Sequence, residues 1–213
     1  RGLGDVYKRQ LINISNISMK HLILIRHGQS EWNQQKRFTG WVDVGLTDKG
    51  RAEAKKAGEL IKEKKIKLDS FYSSYQKRAN DTLKIVMKEL NEDENLITKK
   101  WQLNERHYGE LTGLNKEDMK KKYGEEKIHQ FRRSWDVKPG ALDRKSPYHP
   151  LNIETYKDIP VSDIPDTESL KDTYERVLKY FNEEIKEKLL SKNVLISAHG
   201  NSIRALCKFL FKL

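Results

Sequence analysis

The chain has 213 residues, 42 Lys and Arg against 31 Asp and Glu for a formal net charge of +11, and one cysteine, Cys207. That length suits one domain. No apolar run reaches the roughly 20 residues of a bilayer-spanning helix, and one cysteine builds neither an internal disulfide nor a cysteine zinc site, so a reducing, cytoplasmic setting without a membrane is expected.

Residues 1–18 carry no amphipathic period and no apolar core of a signal peptide, and residues 4–10 look like translated adapter sequence. They read as a non-native or disordered leader, with a domain expected from Met19 to Leu213. A β-like run over 21–26 is followed by a helical pattern over 47–64 that Thr47 can cap, and then by a second β-run over 68–73. Ala79, Leu83, Val86, Met87 and Leu90 mark one face of the next helix. Helical patterns follow over 116–123 and 125–133. The Pro-bearing stretch over 136–165 is long enough to suggest a functional lid. A long helix is expected over 168–190, a β-run over 193–198 and a last helix over 202–213. This strand-then-helix rhythm predicts an α/β three-layer sandwich with a mostly parallel central sheet. Glu and Asp are interspersed among the lysines of 55–67 and 116–127, so the basic excess reads as solvated helix faces, and no nucleic-acid motif accompanies it.

The first β-run ends in Arg26-His27-Gly28 and the last in His199-Gly200-Asn201. In open parallel sheets reactive groups gather at the carboxyl ends of strands. Glycine lets the backbone turn sharply and leaves its N–H free to meet an anionic oxygen. One His-Gly pair is usually a turn. Two at equivalent strand ends, one preceded by arginine, point to phosphate.

The run Arg26-His27-Gly28-Gln29-Ser30-Glu31-Trp32-Asn33 resembles the signature of the histidine phosphatase superfamily. Further segments resemble its cofactor-dependent phosphoglycerate mutase branch: Phe38-Thr39-Gly40-Trp41, Lys77-Arg78-Ala79, Asn104-Glu105-Arg106-His107-Tyr108-Gly109, Gly113-Leu114-Asn115-Lys116, Arg132-Arg133-Ser134-Trp135-Asp136, Glu168-Ser169-Leu170 and Ser197-Ala198-His199-Gly200-Asn201-Ser202. The resemblance implies exchange of 3-phosphoglycerate and 2-phosphoglycerate through a phosphohistidine, primed by 2,3-bisphosphoglycerate and needing no metal. His27 is then the nucleophile, because a neutral imidazole can attack phosphorus with its lone pair. Arg26, Arg78 and His199 would meet the charge on the transferring oxygens, and Glu105 would exchange the hydroxyl proton. The rest of the substrate would meet Tyr108, Lys116, Arg132 and Arg133, with Ser30, Asn33, Thr39, Gly40, Gly200 and Asn201 as smaller donors. Alone, Arg132-Arg133 would read as a solvated pair. His21, His107, His129 and His149 read as structural, and the four tryptophans as packing. The implied partners are small anionic phosphoglycerates, with a homo-oligomer left open. A phosphatase or bisphosphoglycerate mutase on the same fold shares His27, Arg26, Arg78 and His199, whereas Glu105, Tyr108, Lys116 and Arg132-Arg133 favour the mutase over the phosphatase. Members of that branch usually continue past this point with a strand and a mobile tail, so the carboxyl end reads as truncated, and an inactive fragment stays an alternative.

Overall fold

The computed structural model describes residues 20–213, and the leader expected over 1–18 lies outside the described residues. In chain order they form β1 (Leu22–Arg26), α1 (Glu31–Gln34), α2 (Asp48–Glu63), β2 (Ser70–Ser73), α3 (Lys77–Leu90), β3 (Ile97–Lys99), α4 (Lys116–Tyr123), α5 (Glu125–Arg133), α6 (Leu170–Tyr180), β4 (Val194–Ala198) and α7 (Gly200–Leu210). The strands make one parallel sheet in the order β1-β4-β2-β3.

The twofold period of the strands divides the core between two faces. Phe71 and Leu195 meet Ile61 of α2 and Leu83, Val86 and Met87 of α3 on one side. Tyr72, Val194, Ile196 and Ala198 meet Val177 and Tyr180 of α6 and Ala205 and Leu206 of α7 on the other. Helices therefore cover both faces, as the strand-helix rhythm predicts. Each fully buried Leu, Ile, Val or Phe contributes about 1.5–3 kcal/mol. The helix starts are set locally: Thr47 Oγ1 accepts the Gly50 N–H at 3.1 Å to cap α2, and Ser169 and Asp172 form a reciprocal capping box on α6. Among the described residues no helix is long and apolar enough to cross a membrane.

The insertion of β4 between β1 and β2 matters most for function. Arg26 pairs in register with Ala198, and the His27 N–H donates to Ala198 O at 3.1 Å. His27 and His199, 172 residues apart in the chain, thus leave adjacent strands at the same level.

Several expectations change. The helix expected over 168–190 is regular only through Tyr180. A π-helical turn, Phe181–Ile185, and a 3-10 turn, Lys188–Leu190, follow it. The wider turn keeps Phe181 and Ile185 buried, while Leu190 is left 81% exposed. The last helix starts at Gly200, two residues early, and stops at Leu210. Strand β3, three residues long, was not expected. The segment over 136–165 is no lid over the cleft described below. It is built of short 3-10 turns whose Tyr156, Ile159 and Ile164 pack around Trp41. Its buried His149 places Nε2 2.9 Å from Asp166 Oδ1, and Arg144 grips both oxygens of that carboxylate.

Candidate active site

At the carboxyl ends of β1 and β4 lies a cleft of about 230 Å³. Its lining includes Arg26, Arg78, Lys116, Arg132, Arg133 and Arg204, against a single carboxylate, Glu105. His27, Asn33, Thr39, Gly40, Tyr108, Gly200 and Asn201 complete it. Such a surplus of cations around so small a space favours a small ligand of high negative charge.

His27 is buried, and its Nδ1 lies 2.7 Å from Gly28 O. A carbonyl oxygen only accepts, so Nδ1 carries the hydrogen and the lone pair of the neutral ring is on Nε2. Burial, then the nearby Arg78, holds His27 well below the usual histidine range, so the ring is neutral at pH 7. His199 is fully buried beside it, the ring centroids 5.0 Å apart, and is likewise held low by burial and by Arg78. Ser74 Oγ lies 2.8 Å from His199 Nε2 and accepts the Gln76 N–H at 3.1 Å.

Arg78 is buried with Nη1 donating to Val42 O at 2.9 Å and Nη2 to Gly40 O at 3.0 Å. Two carbonyls thereby hold the plane of the guanidinium while its remaining N–H bonds stay available to the cleft. The left-handed turn that presents Gly40 O, at φ 54°, suits glycine. Gln76 ties this turn to the other wall: its Nε2 donates to Gly40 O at 2.8 Å and its Oε1 accepts the Glu105 N–H at 2.9 Å.

The Glu105 segment has no regular structure, and a buried ion pair shapes it. Arg176 of α6 donates Nε to Glu168 Oε1 at 2.6 Å and Nη2 to Oε2 at 2.9 Å. Its other N–H bonds go to the carbonyls of Gln102, Asn104 and Glu105 at 2.6, 3.0 and 3.0 Å. Glu168 Oε2 also accepts the His107 N–H at 2.8 Å. Backbone on both sides of Glu105 is therefore gripped. Glu105 Oε1 accepts from Arg106 N at 2.8 Å and from Asn201 Nδ2 at 2.9 Å. A carbon added to Gly200 would stand 3.9 Å from both Glu105 Oε2 and Arg26 Nε, which puts that second oxygen across a small space from Arg26.

On the outer wall, Lys116 follows Asn115, whose side chain caps α4, and α5 ends in Arg132 and Arg133. Burial first, and then the charge of Arg132, brings the Lys116 ammonium down to about 8. Thr39 Oγ1 is buried with no hydrogen-bond partner among the described residues, a polar atom where a ligand oxygen would fit.

Of the residues singled out from sequence, the fold brings Arg26, His27, Asn33, Thr39, Gly40, Arg78, Glu105, Tyr108, Lys116, Arg132, Arg133, Gly200 and Asn201 to one cleft, and packs the fully buried His199 against the His27 ring, outside the lining itself. Ser30 is corrected: it is fully buried, caps α1 by accepting the Asn33 N–H at 3.3 Å, and does not line the cleft. The reading of Gly28 changes too. Its N–H donates to Thr82 Oγ1 at 3.1 Å, and a Cβ there would stand 2.1 Å from Gly50 O. Glycine is needed at this point for backbone packing against α2, and its N–H is not free for an anion. Arg204, Gln76, Ser74 and Arg176 were missed. Only Arg204 left a local trace, three residues after Asn201 and so on the same helix face.

Residues 22–149 match the model of the histidine phosphatase superfamily (branch 1). A 2,3-bisphosphoglycerate-dependent phosphoglycerate mutase of Pelagibacter ubique is 68% identical over 196 residues, covering 92% of this chain and 82% of that protein. One of the same name from Borreliella burgdorferi is 50% identical over 192 residues, covering 90% of this chain and 77% of that protein. Among solved structures, one named mycobacterial hydrolase 1 is similar with a TM-score of 0.69 at 22% identity, covering 91% of this chain and 79% of the other, which shows a shared fold.

Proposed function

Because the chain belongs to the histidine phosphatase superfamily, among its 2,3-bisphosphoglycerate-dependent phosphoglycerate mutases, we propose a mechanism in which the cleft interconverts 3-phosphoglycerate and 2-phosphoglycerate by way of phosphorylated His27. The observation that carries it is the state of His27: a neutral ring with Nδ1–H given to Gly28 O and a lone pair on Nε2, in a cleft lined by guanidinium groups. In the first half-reaction the free hydroxyl of 3-phosphoglycerate attacks the phosphorus on His27, the new P–O bond forms, the P–N bond breaks with its electron pair returning to Nε2, and 2,3-bisphosphoglycerate results. In the second, Nε2 attacks the other phosphorus of that bisphosphate, the P–O bond at C3 breaks, and 2-phosphoglycerate leaves with His27 phosphorylated again. Splitting the transfer in two lets the substrate reorient between steps.

Arg26 and Arg78 hold the three equatorial oxygens during transfer, and the Arg78 fork, anchored by the carbonyls of Val42 and Gly40, meets the charge without reorganising. His199, packed against the His27 ring, supports the third side. Glu105 takes the proton of the attacking hydroxyl and returns it to the departing alkoxide. Lys116, Arg132 and Arg133 hold the carboxylate and the second phosphate, and Asn33, Thr39, Gly40, Tyr108, Gly200 and Asn201 serve as smaller contacts. Two phosphates and one carboxylate in a single ligand match the cation excess and the Thr39 hydroxyl, which has no partner among the described residues. Bound 2,3-bisphosphoglycerate supplies the phosphoryl group that charges His27 before the first turnover.

Incubation with 32P-labelled 2,3-bisphosphoglycerate should leave one acid-labile, alkali-stable phosphoryl group on the wild type and none on His27→Ala. A coupled enolase assay should show turnover only with the former. Release of inorganic phosphate with no 2-phosphoglycerate formed would favour a phosphatase instead.

A further inference from the structure

The reading of Glu105 as the proton carrier leaves open which of its two oxygens carries the proton. Oε1 is crowded by donors: Arg106 N at 2.8 Å, Asn201 Nδ2 at 2.9 Å and Asn201 N at 3.2 Å. An oxygen facing three N–H groups has no acceptor to take a hydrogen of its own. Among the described residues no donor is bonded to Oε2, which stands, like Arg26 Nε, 3.9 Å from where a Cβ on Gly200 would be.

This asymmetry depends on the orientation of one side-chain amide. The Asn201 amide is buried and could present either end to Glu105. While Glu105 is ionised, its oxygen selects the nitrogen. Once Glu105 has taken up a proton the selection fails, because an O–H on Oε1 could donate to a turned-over Oδ1. The proton would then be held away from the cleft. Arg204 removes that alternative. Its Nη1 donates to Asn201 Oδ1 at 2.9 Å, and a guanidinium can only donate, so the oxygen of the amide must face Arg204 in either protonation state of Glu105. The second hydrogen of Nδ2 goes to the Tyr108 hydroxyl oxygen at 3.1 Å, which leaves the Tyr108 hydrogen to point to another acceptor.

We propose that Arg204 is a positioning residue for proton transfer: through Asn201 it keeps Oε1 of Glu105 occupied by donors and confines the travelling proton to Oε2. The proton of the attacking hydroxyl then moves to Oε2 as the O–P bond forms, and in the reverse step leaves Oε2 for the alkoxide oxygen as that bond breaks. No further reactant is involved. Arg204 itself is exposed at the rim of the cleft, so its loss strands no buried charge and takes from Asn201 Oδ1 its donor. This inference rests on the assignment of Glu105 made above.

The experiment is a steady-state comparison of wild type, Arg204→Met, Arg204→Lys, Asn201→Ala, the Arg204→Met/Asn201→Ala double variant and Glu105→Gln. Loss of one charge-assisted hydrogen bond in the transition state should lower kcat about tenfold in Arg204→Met, with KM for 3-phosphoglycerate within about twofold. Arg204→Lys, which keeps a donor on a flexible stem, should recover part of kcat and decides the matter should the methionine variant fold poorly. Because Arg204 acts through Asn201, the double variant should be no slower than the slower single one. Additive losses, or a KM raised about tenfold at unchanged kcat, would make Arg204 a direct substrate contact and overturn the proposal. If Glu105→Gln turns over like the wild type, the assignment of Glu105 itself fails. If Glu105→Gln is slow while Arg204→Met and Arg204→Lys are not, only the role of Arg204 fails.

Discussion

Replacing Arg176 by methionine should separate the architecture of the Glu105 segment from its chemistry. The side chains of Arg176 and Glu168 are 11% and 4% exposed, and all five hydrogen bonds of the guanidinium are lost together. The Glu168 carboxylate would keep only the His107 N–H, and three carbonyls between Gln102 and Glu105 would lose a donor. An uncompensated charge at such depth costs about 3–5 kcal/mol, a large part of the roughly 5–15 kcal/mol by which a domain is stable. At about 2–4 °C per kcal/mol for this size, Tm should fall by roughly 6–20 °C. Urea unfolding with paired thermal melts measures it. Arg176→Met/Glu168→Leu removes the stranded charge as well and should be more stable than the single variant, since the two residues are coupled. A single variant that loses under about 1 kcal/mol would refute the claim that this pair holds the segment. So would a double variant whose loss equals the sum of the two single losses.

Three further outcomes follow from the geometry. Lys116 titrates at about 8 in the free protein, so kcat/KM for 3-phosphoglycerate should fall as pH rises from 7 to 9, and Lys116→Arg, which stays charged, should flatten that limb of the profile. His107 is brought down to about 3, chiefly by burial. Below its unfolded value of about 6.5 the unfolded chain binds a proton that the folded chain refuses, so stability falls on acidification, by about 2 kcal/mol at pH 5 from this residue. His107→Asn should narrow the gap between urea midpoints at pH 7 and pH 5, and an unchanged gap would count against the assignment. Arg78→Lys should lower kcat about 100-fold, because one ammonium cannot hold Val42 O and Gly40 O and still present a fork to phosphate; near-normal single-turnover phosphorylation of His27 would remove Arg78 from the transfer step.

The sequence by itself determined the parts that depend on short-range pattern. Short continuous apolar runs at 22–26 and 194–198 specify strands buried on both faces, and the spacing from Ala79 to Leu90 specifies a helix face, because run length and a period of 3.6 set which side chains can be buried together. The segment Ile97-Thr98-Lys99 has no such pattern and pairs as a strand only because β2 offers it an open edge. The motifs at Arg26-His27-Gly28 and His199-Gly200-Asn201 were legible as a pair of strand ends, yet their meeting depends on β4 entering between β1 and β2. Tertiary structure alone decided the finer chemistry. Gly28 serves a backbone contact with Gly50, Ser30 caps a helix, and the stretch over 136–165 packs around Trp41, since burial and hydrogen-bond partners come from residues far away in the chain. The same holds for the two arginines that shape Glu105. Arg176 and Arg204 are 71 and 99 positions from it in sequence, and each acts through a directional hydrogen bond. Such a bond is defined only when donor and acceptor have been brought within about 3 Å, and it is the packing of α6 and α7 against the sheet that does so.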